Sequence, residues 1–199
     1  MFPHAHLAVG YAFASGVVRA TRHRPIGRRE MLLVIVGTQL PDLIDKPLAL
    51  VVGGTFASGR TVGHSLLFVI PVILVLGAVL RNRHGTALPV ALFAIGYVSH
   101  PFLDASVFVL QGTLARDLSE VGFILWPVGL PAEGIIRFLE RSPAIERLVG
   151  AKPRWTARHV PIGVRFRWYV RVTELVLASA ATILWLADGA PGAEAVRDR

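Results

Sequence analysis

Residues 66–80 run fifteen positions without a charged side chain, and extending the run back to Val62 gives roughly the length that crosses a hydrocarbon core as a helix. A segment of this kind allows a chain few folds. In water it needs a large body of protein around it. Yet a chain of 199 residues, 53% of them hydrophobic, already carries more apolar surface than one soluble domain of that length hides. A bilayer is the solvent this predicts.

A second run, residues 86–110, is interrupted by His100 and Asp104, and its Pro89 suits a first helical turn. Further candidates are residues 6–18, 31–52 around Pro41, 121–139 with Pro127 and Pro131, and 172–186. The N-terminal stretch shows neither a basic leader nor a cleavage site, so it is expected to stay as a span. Together these predict an all-α, multi-pass transmembrane helical bundle of about five or six helices, some broken by Pro. The expected organisation is a membrane-embedded core over residues 1–139, a basic interfacial segment over 140–171, a last transmembrane helix over 172–188 and a tail over 189–199.

The net charge of +8 then reads as topology. Arg19, Arg22, Arg24, Arg28 and Arg29 separate the first two spans, Arg81 and Arg83 the next two, and a third group lies between Arg137 and Arg171. With six spans all three groups fall on one side, cytoplasmic by the positive-inside rule, and both chain ends fall on the other. Membrane lipid is the expected partner, and no nucleic acid is expected. With no Cys, any metal is left to His and carboxylates.

The remaining ionisable residues concentrate away from the arginines. His4 and His6 open the first span, Asp42 and Asp45 come late in the second, His64 opens the third, and His100 and Asp104 lie towards the far end of the fourth. An Asp near the centre of a membrane helix costs at least ~2.5–3.5 kcal/mol, so several acids in one layer need compensation, which a divalent cation supplies. The i, i+4 pair His100 and Asp104 and the i, i+3 pair Asp42 and Asp45 can each point from one helix face. Imidazole with carboxylate and no thiolate favours zinc and also suits manganese or iron, with one or two ions able to activate water. Each residue also has a plainer reading. His64 fits an interfacial polar residue, and Asp42 and Asp45 fit caps of a helix broken at Pro41. Asp45 could instead pair with Lys46, His4 fits an exposed terminal His, and His23, His84 and His159 fit solvent or head groups.

These residues carry a resemblance. His6 to Gly10 matches His-x-x-x-Gly, Leu40-Pro41-Asp42 a Leu-Pro-Asp block, and residues 59–65 a segment ending in His64-Ser65. Gly96, Tyr97, His100 and Asp104 match Gly-Tyr-x-x-His-x-x-x-Asp, and Leu125-Trp126-Pro127 a later Leu-Trp-Pro. Over roughly residues 4–130 the chain resembles the membrane-bound metal-dependent hydrolases, the YdjM-like inner-membrane proteins. It departs from their pattern at Gly59 and Gly63, where many members have His and Thr, and in the spacing of Asp45 from Asp42. The resemblance implies a multi-pass helical fold, a hydrolytic activity and, through distant similarity to zinc-dependent phospholipases C, a phosphoester or lipid-like substrate.

The resulting expectation is that His6, Asp42, Asp45, His64, His100 and Asp104 hold the metal, with an uncoordinated Asp (Asp45 or Asp104) as general base. Arg60 would meet a substrate anion or anchor a head group. The site would lie near the face opposite the cytoplasmic basic loops. Two non-enzymatic readings stand beside this one. The His/Asp layer could pass ions or protons or serve structure. Alternatively, residues 152–171, with Trp155, Phe166, Trp168 and Tyr169, could make the chain a scaffold on anionic lipid or a cytosolic partner.

Overall fold

A computed structural model describes residues 3–110, 118–128 and 167–193. Among these residues the fold is all-helical: α1 (Pro3–Arg22), α2 (Arg28–Val51), α3 (Leu66–His84), α4 (Leu88–Leu110) and α5 (Arg167–Ala187), with short 3-10 segments at Gly54–Phe56 and Leu118–Leu125. Three of these, α3, α4 and α5, are long and apolar enough to cross a membrane. On α3, Phe68, Val72, Leu74 and Val75 point outward and are about half exposed or more, a surface that needs hydrocarbon rather than water around it.

Sequence chemistry sets the element ends. The Glu30 carboxylate accepts the N–H of Gly27 at 2.8 Å, closing the N-terminus of α2 as a cap from its own first turn. Gly85, at φ 69°, ends α3 in the left-handed conformation and returns its N–H to Arg81 O. Pro41, Pro47, Pro71 and Pro101 all lie inside helices that continue through them, so the break expected at Pro41 is absent. The expected span over 121–139 differs more. Its described part is 3-10 helix through Leu125 followed by a turn, and its remainder lies outside the described residues.

The core forms where α2 meets α4, with α1 lying across both, and it gathers Tyr11, Ala14, Val18, Ile26, Val34 and Leu92. Two glycines set the separation of α2 and α4. A Cβ on Gly37 would stand 2.4 Å from Phe93 O, and one on Gly96 would stand 2.6 Å from Val34 O. The two backbones therefore touch, as small residues allow between membrane helices.

The last helix runs differently from the expectation. Asp188, just past α5, accepts from Tyr11 Oη and Ser15 Oγ at 2.7 Å each and from the guanidinium of Arg19. Further along, Ala178 and Ala181 of α5 face the same cleft as His4 and Leu7 of α1. Thus α5 is parallel to α1 and ends at the arginine-rich end of the bundle. The first and last described residues, 3 and 193, therefore lie at opposite ends of the bundle, against the expectation of one side. Arg167 and Arg171, at the start of α5, lie at the opposite end from Arg19, so these members of the third basic group do not join the first. Most of that group, and of residues 152–171, lies outside the described residues.

Candidate metal centre

Helix direction gathers the ionisable residues. Since α1 starts, and α2 and α4 finish, at the end away from Arg19, their polar residues share one level. His6 comes from the start of α1, Asp42 from the second half of α2, His64 from the turn leading into α3, and His100 and Asp104 from the second half of α4. His6, His64, His100 and Asp104 are buried, and Asp42 is partly exposed. Two triads of ligand atoms lie mutually within 4.8 Å: His6, His100 and Asp104, and Asp42, His64 and His100. His100 belongs to both.

The imidazoles converge through particular atoms. His64 Nε2 lies 3.8 Å from both Asp42 Oδ1 and Asp104 Oδ2, and His100 Nε2 lies 3.8 Å from Asp42 Oδ1. His6 Nε2 lies 3.2 Å from Asp104 Oδ1, and its ring stacks on that of His100 with centroids 3.7 Å apart. None of the three Nε2 atoms makes an aligned hydrogen bond among the described residues. Each such buried, unsatisfied polar atom costs about 1–3 kcal/mol.

For two of the rings, the far nitrogen explains why Nε2 is left open. His100 Nδ1 is 2.6 Å from the carbonyl of Thr38, which can only accept, so the proton resides on Nδ1 and the Nε2 lone pair faces the cluster. His64 Nδ1 donates in the same way to Asp45 Oδ2 at 2.8 Å. A histidine whose second nitrogen donates to a carbonyl or carboxylate is oriented as metal-ligating histidines are.

Asp45 lies outside both triads. Its carboxylate also accepts from Thr61 N (2.6 Å), Thr61 Oγ1 (3.0 Å), Gly63 N (2.9 Å) and His64 N (3.1 Å), so both oxygens are engaged in shaping the turn that carries His64. Nor does it pair with Lys46, which binds Asp42 Oδ2 at 2.5 Å. The turn is closed from two other sides. Tyr97 Oη donates to Gly63 O at 2.7 Å, and a Cβ on Gly63 would meet Pro41 O at 2.6 Å.

Over the cluster lies the Leu118–Leu125 segment, tied down by Ser65 Oγ donating to Trp126 O at 2.6 Å. Phe123 sets its ring edge to face against His64, centroids 5.8 Å apart. Arg60 passes 5.7 Å above Phe123 and donates from Nε to Asp104 Oδ2 at 2.7 Å, with about a third of its side chain exposed. His4 is exposed, and a Cβ on Gly59 would approach only Ala49. The roles of Thr38 O, Thr61 and Phe123 had no signal in the sequence, because each acts across the fold rather than along it.

The donor set fits a divalent cation. Ligands 2.0–2.2 Å from a shared ion stand at most about 4.4 Å apart, so each triad is close to the span of one coordination sphere. Imidazole and carboxylate donors without thiolate suit zinc, manganese or iron.

No curated protein and no solved structure matches the chain. A family profile does, over residues 1–187, a span that takes in all five helices and every member of the His/Asp cluster. By that match, the apolar bundle with its buried His/Asp centre belongs to the YdjM inner membrane protein family.

Proposed function

We propose that this protein is a membrane-embedded, metal-dependent hydrolase of phosphoesters carried by lipid. The observation that carries the reading is the meeting of three buried Nε2 atoms with no aligned hydrogen bond, two of them turned inward by an acceptor on the far side of the ring. The triads His6, His100 and Asp104, and Asp42, His64 and His100, would hold one or two ions, zinc being favoured, with His100 common to both. When bound, such an ion supplies Lewis-acid activation of water and neutralises charge developing on the substrate.

The chain's own groups divide the remaining work. Asp45, offered by spacing as a ligand or base, instead orients His64 as a positioning residue. With one triad occupied, whichever of Asp42 and Asp104 lies outside it would accept a proton from water. Phe123 and its segment exclude bulk water from the buried side, while the partly exposed Asp42 marks the open side. Arg60 stands at the rim, where its guanidinium can meet a phosphate oxygen. Leu50 and Val51 at the end of α2, Phe102 on α4 and Val128 beyond the 3-10 segment are exposed around this end, which favours a substrate that arrives from lipid.

The test is metal content by elemental mass spectrometry on detergent-purified protein, with phosphoester hydrolysis assayed alongside. Near-stoichiometric zinc, manganese or iron, lost in His64→Ala and His100→Ala at equal folded yield, is the expected result. A well-folded wild type that stays metal-free after reconstitution overturns the mechanism.

A further inference from the structure

At the other end of the bundle, α5 packs along α1 and stands off α2. The cleft so formed has an outer part of about 610 Å³ and an inner part of about 280 Å³, and Met31 and Trp185 line both. The inner part is walled mainly by apolar side chains, among them Ile35, Ala178 and Ala181. Arg28 stands in the wall of the outer part.

Three features specify an occupant. Arg28 is exposed and makes no ion pair among the described residues, since the nearby acid, Glu30, is taken by both terminal nitrogens of Arg24. The cleft therefore has a cationic mouth above an apolar floor, the complement of an acidic amphiphile. The direction also fits. Arg28 to Ile35 and Trp185 to Ala178 each run seven residues, about 10 Å of helix, from the arginine-rich end into the hydrocarbon layer, whose half-thickness is about 15 Å. Finally, Trp185 Nε1 donates to Pro191 O at 3.2 Å, fixing the indole as a wall near the head-group level, where Trp is enriched.

We propose that this cleft binds one anionic phospholipid, its phosphate on Arg28 and one acyl chain along Met31, Trp185 and Ala181. No member of the His/Asp cluster lines the cleft, although its inner part reaches His4 and Leu7 beside His6, and the proposal does not depend on that cluster's chemistry. An acidic lipid held here joins α2 to α5 where the protein itself leaves them apart.

The experiment is native mass spectrometry of the full-length protein in detergent, titrated with phosphatidylglycerol or phosphatidylcholine of identical acyl chains. Wild type is expected to hold phosphatidylglycerol about fivefold or more tighter, the worth of one Arg at a membrane surface. Arg28→Gln should abolish that preference, and Ala181→Phe, which fills the inner part, should weaken both lipids. Unchanged metal content and thermal midpoint in Arg28→Gln would show that the fold is intact. Equal binding of the two lipids by wild type, or a preserved preference in Arg28→Gln, overturns the proposal. So does an Ala181→Phe protein that loses a dimer while binding lipid as before, which would assign the cleft to a second copy of the chain.

Discussion

Replacing Asp45 by Asn separates a carboxylate that orients from one that ligates. The side chain keeps its shape, but one of its two oxygens becomes an NH₂ group. Five donors now converge on those oxygens: Oδ2 serves Thr61 N, His64 N and His64 Nδ1, and Oδ1 serves Thr61 Oγ1 and Gly63 N. The least damaging orientation puts the NH₂ at the Oδ1 position, where the Thr61 hydroxyl can rotate to accept but Gly63 N–H cannot. One buried backbone donor is thereby orphaned, at about 1–3 kcal/mol, and the remaining three bonds lose the strengthening that a charged acceptor provides. His64 keeps its tautomer and its place, so the metal should still bind, but 10- to 100-fold more weakly, as when a group that orients a metal ligand is removed. The assay is competition against a chelator of known affinity on detergent-purified protein, with the thermal midpoint measured on the metal-free form. An Asp45→Asn protein with wild-type metal affinity would refute the orienting role. Complete loss of metal with no loss of metal-free stability would make Asp45 a direct ligand.

Other expectations concern the scaffold. Gly37→Ala should destabilise by about 1–3 kcal/mol, because its Cβ would press on the Phe93 carbonyl and the Tyr97 amide, both backbone; a thermal midpoint equal to wild type would show that α2 and α4 are not in contact as described. Asp188→Ala strands Tyr11 Oη, Ser15 Oγ and the half-exposed Arg19, and should cost about 1–3 kcal/mol, read as earlier proteolytic release of α5 in limited digestion. The Glu30 carboxyl is held below its usual range chiefly by hydrogen bonds from Arg24, against the opposing effect of burial. Its contribution is therefore fully present above the unfolded-state value, and is lost as pH falls through the depressed folded value. The exposed ion pair is worth only about 0.2–1 kcal/mol, so Glu30→Gln should slightly flatten the acid limb of a midpoint-against-pH curve; a steeper limb would contradict the sign.

Much of this architecture follows from the order of residue types. An uncharged run as long as residues 66–80, in a chain too short to bury it in a protein core, calls for hydrocarbon, and a chain without Cys can offer a metal only imidazole and carboxylate. Helical spacing also placed His100 with Asp104 on one face, and alternating helix direction placed His6, Asp42 and His64 at the same level. Spacing along a helix, however, says which side chains share a face and not which atoms they meet across the bundle. Asp42 and Asp45 were equivalent candidates by that criterion, yet one faces the imidazoles while the other is consumed by the turn from Thr61 to His64. Similarly, the fifth expected span begins as 3-10 helix and supplies Phe123 to the cluster, since an apolar segment with prolines can cover a site as readily as it can cross a layer. The direction of α5 was likewise open. Its apolar stretch satisfies the bilayer in either sense, and it is contacts across the fold, among them three hydrogen bonds on Asp188 from residues more than 160 positions away in sequence, that set it parallel to α1. Hydrophobicity and backbone hydrogen bonding act locally and can be read along the chain, whereas polar satisfaction inside the bundle is a long-range condition that exists only once the helices have packed.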